Sequence, residues 1–164
     1  MIFKRLLIGF IFLFSGHYYY SQCSNLSVAA GTNANLVTET LYEENFTNQD
    51  DKGAIGSTID ILDCNWTVDV TSAILTNNDD YFKVKNEKFE AKDVDGNCIW
   101  LSPSINISNY HNVSLSILAT ESGSLENSDF MYSEYSVDGG VWNYFSSFGQ
   151  LSNDFSSRTV SQSG

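Results

Sequence analysis

Hydrophobic and polar residues alternate along much of this chain with the two-residue period of a β-strand. The clearest run is Asn65–Val70, in which Trp66, Val68 and Val70 fall on one face and polar residues on the other. Val113–Thr120 repeats the alternation, with serines on the polar face. Such runs are typical of strands that bury one face. Because no segment has a convincing helical period, the pattern predicts an all-β protein.

The stretch Asp80–Ser104 concentrates these signals in the middle of the chain. Short apolar segments at Tyr81–Val84 and Phe89–Ala91 predict two strands, and the acidic turn Asp93–Asn97 leads into a third, Cys98–Leu101. We expect this stretch to form the architectural centre of the fold. Its predicted core residues are Tyr81, Val84, Phe89, Ile99 and Trp100.

Further strands are predicted on both sides of this stretch. Val37–Phe46 is predicted as the first strand and Thr58–Leu62 as an edge strand. Phe130–Val137 and Val141–Phe148 flank an Asp-Gly-Gly turn, which indicates a hairpin because Asp and Gly tolerate the positive φ angles of tight turns. Short strands at intervals of about 8–15 residues predict an antiparallel β-sandwich with jelly-roll-like connections.

Composition divides the chain into four parts. Residues 1–22 are predicted to be a signal peptide and residues 23–36, which are small and polar without period, a linker. Residues 37–150 form the predicted β-sandwich module. Residues 151–164 are rich in serine and predict a flexible or truncated end.

The first residues have the three parts of a secretory signal. Lys4 and Arg5 precede the apolar run Leu6–Phe14, and Ser15–Gln22 is polar. We therefore expect a protein that is secreted or held at the cell surface. Lipid attachment to Cys23 is the weaker alternative, because the residues before it do not suit a lipoprotein signal.

The chain is strongly acidic, and this limits its partners. Its formal net charge is −12, which becomes −14 when Lys4 and Arg5 leave with the signal. Phosphate backbones and anionic membranes attract clustered Lys and Arg, so we expect no nucleic-acid partner. We also expect no membrane insertion after signal removal. The charge agrees with cation binding or, more simply, with a solvated acidic surface.

The cysteines suggest a bridge. Cys64 and Cys98 each stand two residues before a tryptophan, Trp66 and Trp100, in or beside predicted strands. Export permits disulfides, so this matched setting predicts a Cys64–Cys98 bond and leaves Cys23 free or processed. The alternative is two buried free thiols.

The acidic turn is a candidate calcium site. Asp93, Asp95 and Asn97 alternate around a glycine, and Glu44 of the first predicted strand could complete an oxygen-rich ligand set. An ordinary Asp-Gly turn with a solvated surface accounts for the same residues. No other cofactor is expected.

Exposed aromatic residues are candidates for ligand contact. Trp142, Tyr144 and Tyr132 could stack on sugar rings while nearby polar groups bind hydroxyls, whereas Trp66 and Trp100 are better explained as core.

No catalytic constellation is present in the sequence, so we expect no enzyme activity. Carboxylates are too numerous for a pair to indicate a glycosidase, and His111 fits an exposed turn. Phosphate-loop, Cys-x-x-Cys and Gly-x-Ser-x-Gly motifs are missing.

Several segments together resemble a known module. These are LYEENF, CNWTVDV, YFKVKNEKFEAKDVDGNCIWLSPSINIS, VSLSILATESG and DFMYSEYSVDGGVW, which cover about Leu41–Phe148. They resemble the jelly-roll (MAM/concanavalin-like) module of multidomain bacterial proteins exported by type IX secretion. Such modules stand beside nuclease, peptidase, adhesin or repeat domains, and more strands usually follow the hairpin. The resemblance therefore implies that this chain is a fragment whose sandwich lacks its last strands.

The resemblance implies a non-catalytic binding or adhesion module that is accessory to other domains. Its ligand would be a glycan or a cell-surface protein. Two alternatives stay open: the N-terminal fragment of a secreted hydrolase (nuclease, peptidase or glycosidase) whose catalytic domain is absent, and a structural spacer.

Overall fold

The computed structural model describes residues 5–13, 20–31, 38–76, 79–123, 125 and 128–164, and within these ranges it contains strands and no helix. No described segment is therefore a helix long and apolar enough to cross a membrane. The strands are β1 (Arg5–Leu13), β2 (Tyr20–Gly31), β3 (Thr38–Glu44), β4 (Gly53–Ile55), β5 (Thr58–Asp60), β6 (Thr67–Ile74), β7 (Tyr81–Val84), β8 (Phe89–Lys92), β9 (Asp95–Leu101), β10 (Ile105–Asn106), β11 (His111–Ser122), β12 (Phe130–Val137), β13 (Asn143–Tyr144), β14 (Gln150–Ser152) and β15 (Ser157–Ser163).

The strands form two antiparallel sheets. The first has the order β13-β12-β1-β9-β6, with β10 on β1 and β14 on β12. The second has the order β15-β11-β2-β8-β7-β4-β5, with β3 on β2. The predicted antiparallel β-sandwich is confirmed. The jelly-roll connections and the missing last strands stay predictions.

Aromatic side chains fill the space between the sheets. We call the five largest the core cluster: Phe46, Trp66, Phe82, Phe89 and Trp100, each at most 2% exposed. Trp100 of the first sheet lies 6.4 Å from Phe89 of the second, measured between ring centroids, and 6.2 Å from Trp66. Rings at such distances gain edge-to-face contact as well as burial. The cluster therefore joins the two layers.

The predicted core residues are mostly confirmed. Val84, Phe89 and Trp100 are buried in the core, but Ile99 is half-buried on the opposite face of β9 because Cys98 and Trp100 take the inward positions. Tyr81 is buried too, although it does not join the contiguous cluster that the other core residues form. Its side chain lies on the outer face of β7, where its hydroxyl bonds the Glu90 carboxylate and accepts a hydrogen bond from Lys85 Nζ.

The structure corrects the predicted linker and the predicted flexible end. Residues 23–31 of that linker belong to β2, which pairs with β11, β3 and β8. Residues 157–163 form β15, which pairs with β11. β2 buries Cys23, Leu26 and Val28 in the core, whereas only Val160 of β15 is buried. Backbone hydrogen bonds thus build β15 with little help from an apolar pattern.

The predicted signal peptide overlaps two strands. β1 lies between β9 and β12 in the first sheet, and Ile8 within it is fully buried. The start of β2, Tyr20–Gln22, pairs with β8 and β11. Removal of residues 1–22 stays a prediction, and it would take a central strand out of the first sheet.

Candidate functional site: a groove on the outer face of the first sheet

A tight hairpin positions the candidate site. Asp138 and Gly139 both have positive φ angles, 56° and 72°, and the N–H of Gly140 donates to the carbonyl of Val137 at 3.0 Å. The Ser136 hydroxyl donates to the carbonyl of Gly140 at 2.9 Å and closes the turn a second time. The Asp-Gly turn predicted from the sequence is therefore confirmed. The strand after it is shorter than predicted, since β13 contains only two residues.

The strand alternation directs three aromatic rings outward. In β12, Met131 and Ser133 are buried while Phe130 and Tyr132 lie on the outer face. The Phe130 and Tyr132 rings stack at 4.0 Å between centroids, and Tyr144 of β13 meets Tyr132 edge-on at 5.2 Å. We call Phe130, Tyr132 and Tyr144 the aromatic rim.

Beside the aromatic rim lies a groove of about 320 Å³. Its described lining residues are Gly9, Ile99, Leu101, Glu134 and Trp142. The floor is Gly9 of β1, where an added Cβ would stand 3.1 Å from Leu101 Cδ2 and 3.4 Å from Trp142 Cζ3. A larger residue would fill the groove, so the missing side chain is what opens it. The volume falls at the lower end of small-ligand sites, which start at about 300 Å³.

The groove holds one carboxylate. Glu134 is the Cα partner of Tyr144 across the β12–β13 pair. Burial raises the pKa of Glu134. Partial burial, the nearby Glu134 charge and Tyr132 raise the pKa of Tyr144. The Glu134 carboxylate has no hydrogen-bond partner among the described residues, so it is available to accept hydrogen bonds from a ligand.

The structure brings Tyr132 and Tyr144 into contact beside the groove, but of the three predicted ligand-binding residues only Trp142 is among the described residues that line it. Trp142 is 41% exposed and Tyr144 44% exposed, and Tyr132 is half-buried between Phe130 and Tyr144. The two-residue alternation of β12 places Glu134 on the same face as Tyr132, but Glu134 was not among the predicted site residues.

Sequence reasoning missed the groove residues that lie on β1 and β9. Gly9 lay within the predicted signal peptide, and Ile99 was assigned to the core. The alternation of β9, with Cys98 and Trp100 inward, could have placed Ile99 and Leu101 outward.

The predicted disulfide does not form in the structure, where Cys23, Cys64 and Cys98 are all free. β6 and β9 run antiparallel, with Val68 opposite Trp100. Each cysteine stands two residues before its tryptophan. Because the strands are antiparallel, the two cysteines therefore lie on opposite sides of the tryptophan pair along the strand direction. Cys64 precedes β6 and stands about six residues before the position opposite Cys98, on the order of 20 Å along an extended chain, whereas a disulfide joins Cα atoms about 4.4–6.8 Å apart.

The buried thiols are held protonated. Burial, and secondarily the charge of Asp69, raises the pKa of Cys98 to about 12. Burial also raises the pKa of Cys23, whose Sγ donates to Met131 Sδ at 3.8 Å. Because the thiolate is the reactive form, both cysteines act as core side chains.

The candidate calcium ligands do not all converge. Lys92, which precedes Asp93, pairs with Tyr20, whereas Glu44 pairs with Leu26 of the same strand. Six residues of β2 thus separate Glu44 from the turn, on the order of 20 Å. The described residues hold no group of three His, Cys, Asp or Glu side chains that could bind a metal ion. Calcium binding by Asp93, Asp95 and Asn97 alone stays a prediction.

Glu44 instead holds a loop onto the core. Its carboxylate accepts from the N–H of Phe46 at 2.8 Å and from Gln49 Nε2 at 2.9 Å. Gln49 Oε1 in turn accepts from Trp66 Nε1 at 2.7 Å. Phe46 has a positive φ of 58°. This partly buried chain of hydrogen bonds fixes that backbone conformation and points the Phe46 ring into the core cluster.

A second cavity, of about 290 Å³, lies where β11, β12 and β15 meet. His111 is exposed and lines it, together with Tyr110, Tyr135 and Gln162. The described residues of this lining include no Asp, Glu, Lys or Arg. The groove over Gly9 differs in offering a carboxylate beside exposed aromatic rings.

No family model, curated protein or solved structure matches the chain.

Proposed function

We propose that the full chain, with β1 in place, is a non-catalytic binding module that takes a neutral saccharide in the groove over Gly9. One observation carries the proposal: Trp142, 41% exposed, stands beside a Glu134 carboxylate that has no hydrogen-bond partner among the described residues. The apolar face of a pyranose stacks on an aromatic ring, and a carboxylate accepts hydrogen bonds from sugar hydroxyls. The resemblance to accessory modules of exported bacterial proteins agrees with this role.

Charge supports a neutral ligand over an acidic one. The chain carries 20 acidic and 8 basic residues, and the basic side chains at Lys83 and Lys85 lie on the second sheet rather than in the groove. The described lining of the groove includes no Lys or Arg, so among these residues a uronic acid or sulfated sugar would meet Glu134 without a compensating cation. A neutral hexose presents only hydroxyls and an apolar face, which are the groups that this groove complements.

The test is a binding screen of the full chain against neutral oligosaccharides on an array, followed by calorimetry on the strongest. Trp142→Ala should lower the affinity at least about tenfold, which corresponds to 1.4 kcal/mol. Trp142→Phe keeps an aromatic ring and should retain part of the affinity. Val141→Ala is the matched control, because Val141 is 79% exposed and lies outside the groove. Absence of binding to every glycan, or equal affinity of Trp142→Ala and the parent protein, would reject the proposal.

A further inference from the structure

A straight row of residues crosses the outer face of the first sheet at the groove. Its five members lie opposite one another on neighbouring strands, in the order Thr67, Leu101, Gly9, Glu134 and Tyr144. Directly opposed residues of antiparallel strands share one face of the sheet. We call this set the cross-strand row. With strands about 4.8 Å apart, it is roughly 19 Å long from β6 to β13.

Two walls give the cross-strand row the shape of a channel. Trp142 stands two residues before Tyr144, on the hairpin side of the row, and a Cβ added to Gly9 would lie 3.4 Å from its Cζ3 atom. The other wall is the next outward-facing row, to which Ile99 of β9 and Tyr132 of β12 belong. The open direction therefore runs across the strands rather than along them.

Both ends of the cross-strand row reach an edge of the sheet. β6 and β13 are the outermost strands in the order β13-β12-β1-β9-β6. Thr67 on β6 is exposed, and Tyr144 on β13 is 44% exposed. Each carries a hydroxyl group, which can both donate and accept a hydrogen bond. A linear ligand in the row can therefore continue past either edge.

A single hexose would cover only part of the cross-strand row. Its ring has bonds of about 1.5 Å and spans roughly 5 Å, which is close to the spacing of two strands. Over Gly9 such a ring meets Trp142 and Glu134. Thr67 and Tyr144 lie two strands away from Gly9 on opposite sides, roughly 10 Å each, and stay out of its reach.

We propose that the site binds the interior of a linear neutral polysaccharide, which lies across the strands along the cross-strand row. The proposal rests on the proposed function and adds to it the length and the direction of the ligand. The central unit stacks on Trp142 and donates hydrogen bonds to Glu134, and the flanking units contact Tyr144 and Thr67. These two residues thereby favour a chain over a free monosaccharide.

The first experiment measures how affinity depends on length. The full chain is applied to an array of neutral glucans, mannans, galactans and xylans, each present at one, two, three and four units. For every glycan that binds, affinity should rise at least about tenfold from one unit to three. The corresponding long polysaccharide, which has few ends for its mass, should compete at equal mass concentration at least as well as the three-unit chain.

The outcomes separate the two proposals. Absence of binding to every member of the array would refute the proposed function, and the polysaccharide with it. Binding to single units without a gain from longer chains would refute the polysaccharide alone. So would a long polysaccharide that fails to compete, because the site would then take only a chain end.

The second experiment tests the direction of the chain. Tyr144→Ala and Thr67→Ala should each reduce the gain in affinity from one unit to three by at least about threefold. Gln150→Ala is the matched control, because Gln150 is exposed and lies opposite Tyr132 in the neighbouring row. A reduced gain in Gln150→Ala but not in Thr67→Ala would mean that the chain runs along β12, and would overturn the proposal.

Amide chemical shifts of the unmodified protein provide a test that no substitution can disturb. The three-unit chain should shift the amide signals of Gly9, Glu134, Thr67 and Tyr144, all of which belong to the cross-strand row. Shifts confined to Gly9 and Glu134 would leave a site for one sugar unit and overturn the proposal. Shifts at Gln150 in place of Thr67 would overturn it as well.

Discussion

A tryptophan and a nearby glutamate occur both at the core cluster and at the groove, on opposite faces of the first sheet. In the core cluster Trp100 is 0% exposed, and beside the cluster Glu44 accepts hydrogen bonds from a backbone N–H and from Gln49. In the groove, Trp142 is 41% exposed and Glu134 has no hydrogen-bond partner among the described residues. The ring faces and hydrogen-bond acceptors are therefore occupied in the core and available to a ligand in the groove.

The difference teaches where binding capacity resides in this fold. An aromatic ring that already contacts other rings on several sides contributes stability and has no free face for a ligand. A carboxylate with occupied acceptors is likewise structural. Trp142 and Glu134 are the same residue types as Trp66 and Glu44. They differ in having a ring face and carboxylate oxygens that neighbouring described residues do not occupy.

Truncation of Trp100 should have the largest effect. Trp100→Ala removes a buried ring that contacts three others, and we expect a loss of about 3–5 kcal/mol in the free energy of unfolding. Trp142→Ala should change it by no more than about 0.5 kcal/mol, since the side chain is exposed. Urea unfolding of the two full-length variants measures both. Similar losses in the two variants would erase the distinction between core and groove.

Removal of the Glu44 carboxylate should have an intermediate effect. Glu44→Ala leaves the buried N–H of Phe46 and the Gln49 amide without their acceptor, which should cost about 1–3 kcal/mol of stability. Glu43→Ala is the control, because Glu43 is the exposed neighbour on the same strand. A cost of the same size in both variants, measured by urea unfolding, would mean that the network around Phe46 is not what makes Glu44 important. Addition of calcium should leave the difference between them unchanged.

The alternation of side chains explains how much could be predicted. It placed Val84, Phe89 and Trp100 inward, and Tyr132 outward, because a strand with one buried face reveals that face in its sequence. The Asp-Gly turn could be predicted locally as well, because Asp and Gly are the residue types that tolerate the positive φ observed at Asp138. These features depend on neighbours close along the chain.

Register and strand order could not be derived in the same way. The Cys64–Cys98 prediction assumed that matching positions lie side by side, but the antiparallel pairing of β6 and β9 separates them. Gly9 reaches the groove only because β1 pairs with β9 and β12, whose residues lie about 90 and 120 positions away. Such pairings depend on long-range packing, and a segment resembling a signal peptide gives no sign of them.

The smallest expected effect is the change in stability with pH that Glu134 causes. Its sign follows from the direction of the pKa shift. Burial raises the pKa of Glu134 in the folded protein, so the folded state holds this proton more tightly than the unfolded state does. The resulting stabilisation is complete below the unfolded pKa and is lost as the pH rises through the folded one. Glu134→Gln removes the titration. The melting temperature of this variant minus that of the parent protein should therefore increase as the pH rises from about 4 to about 7.

The affinity for a saccharide should rise over the pH range in which the contribution of Glu134 to stability falls. An ionised Glu134 accepts hydrogen bonds from sugar hydroxyls better than its protonated form does, so affinity should rise as the stabilising proton leaves. Calorimetry at several pH values, with Glu43→Gln as the exposed control, measures this change. If affinity and stability moved in the same direction with pH, Glu134 would be a structural carboxylate like Glu44, and the contrast between groove and core cluster would then rest on Trp142 alone.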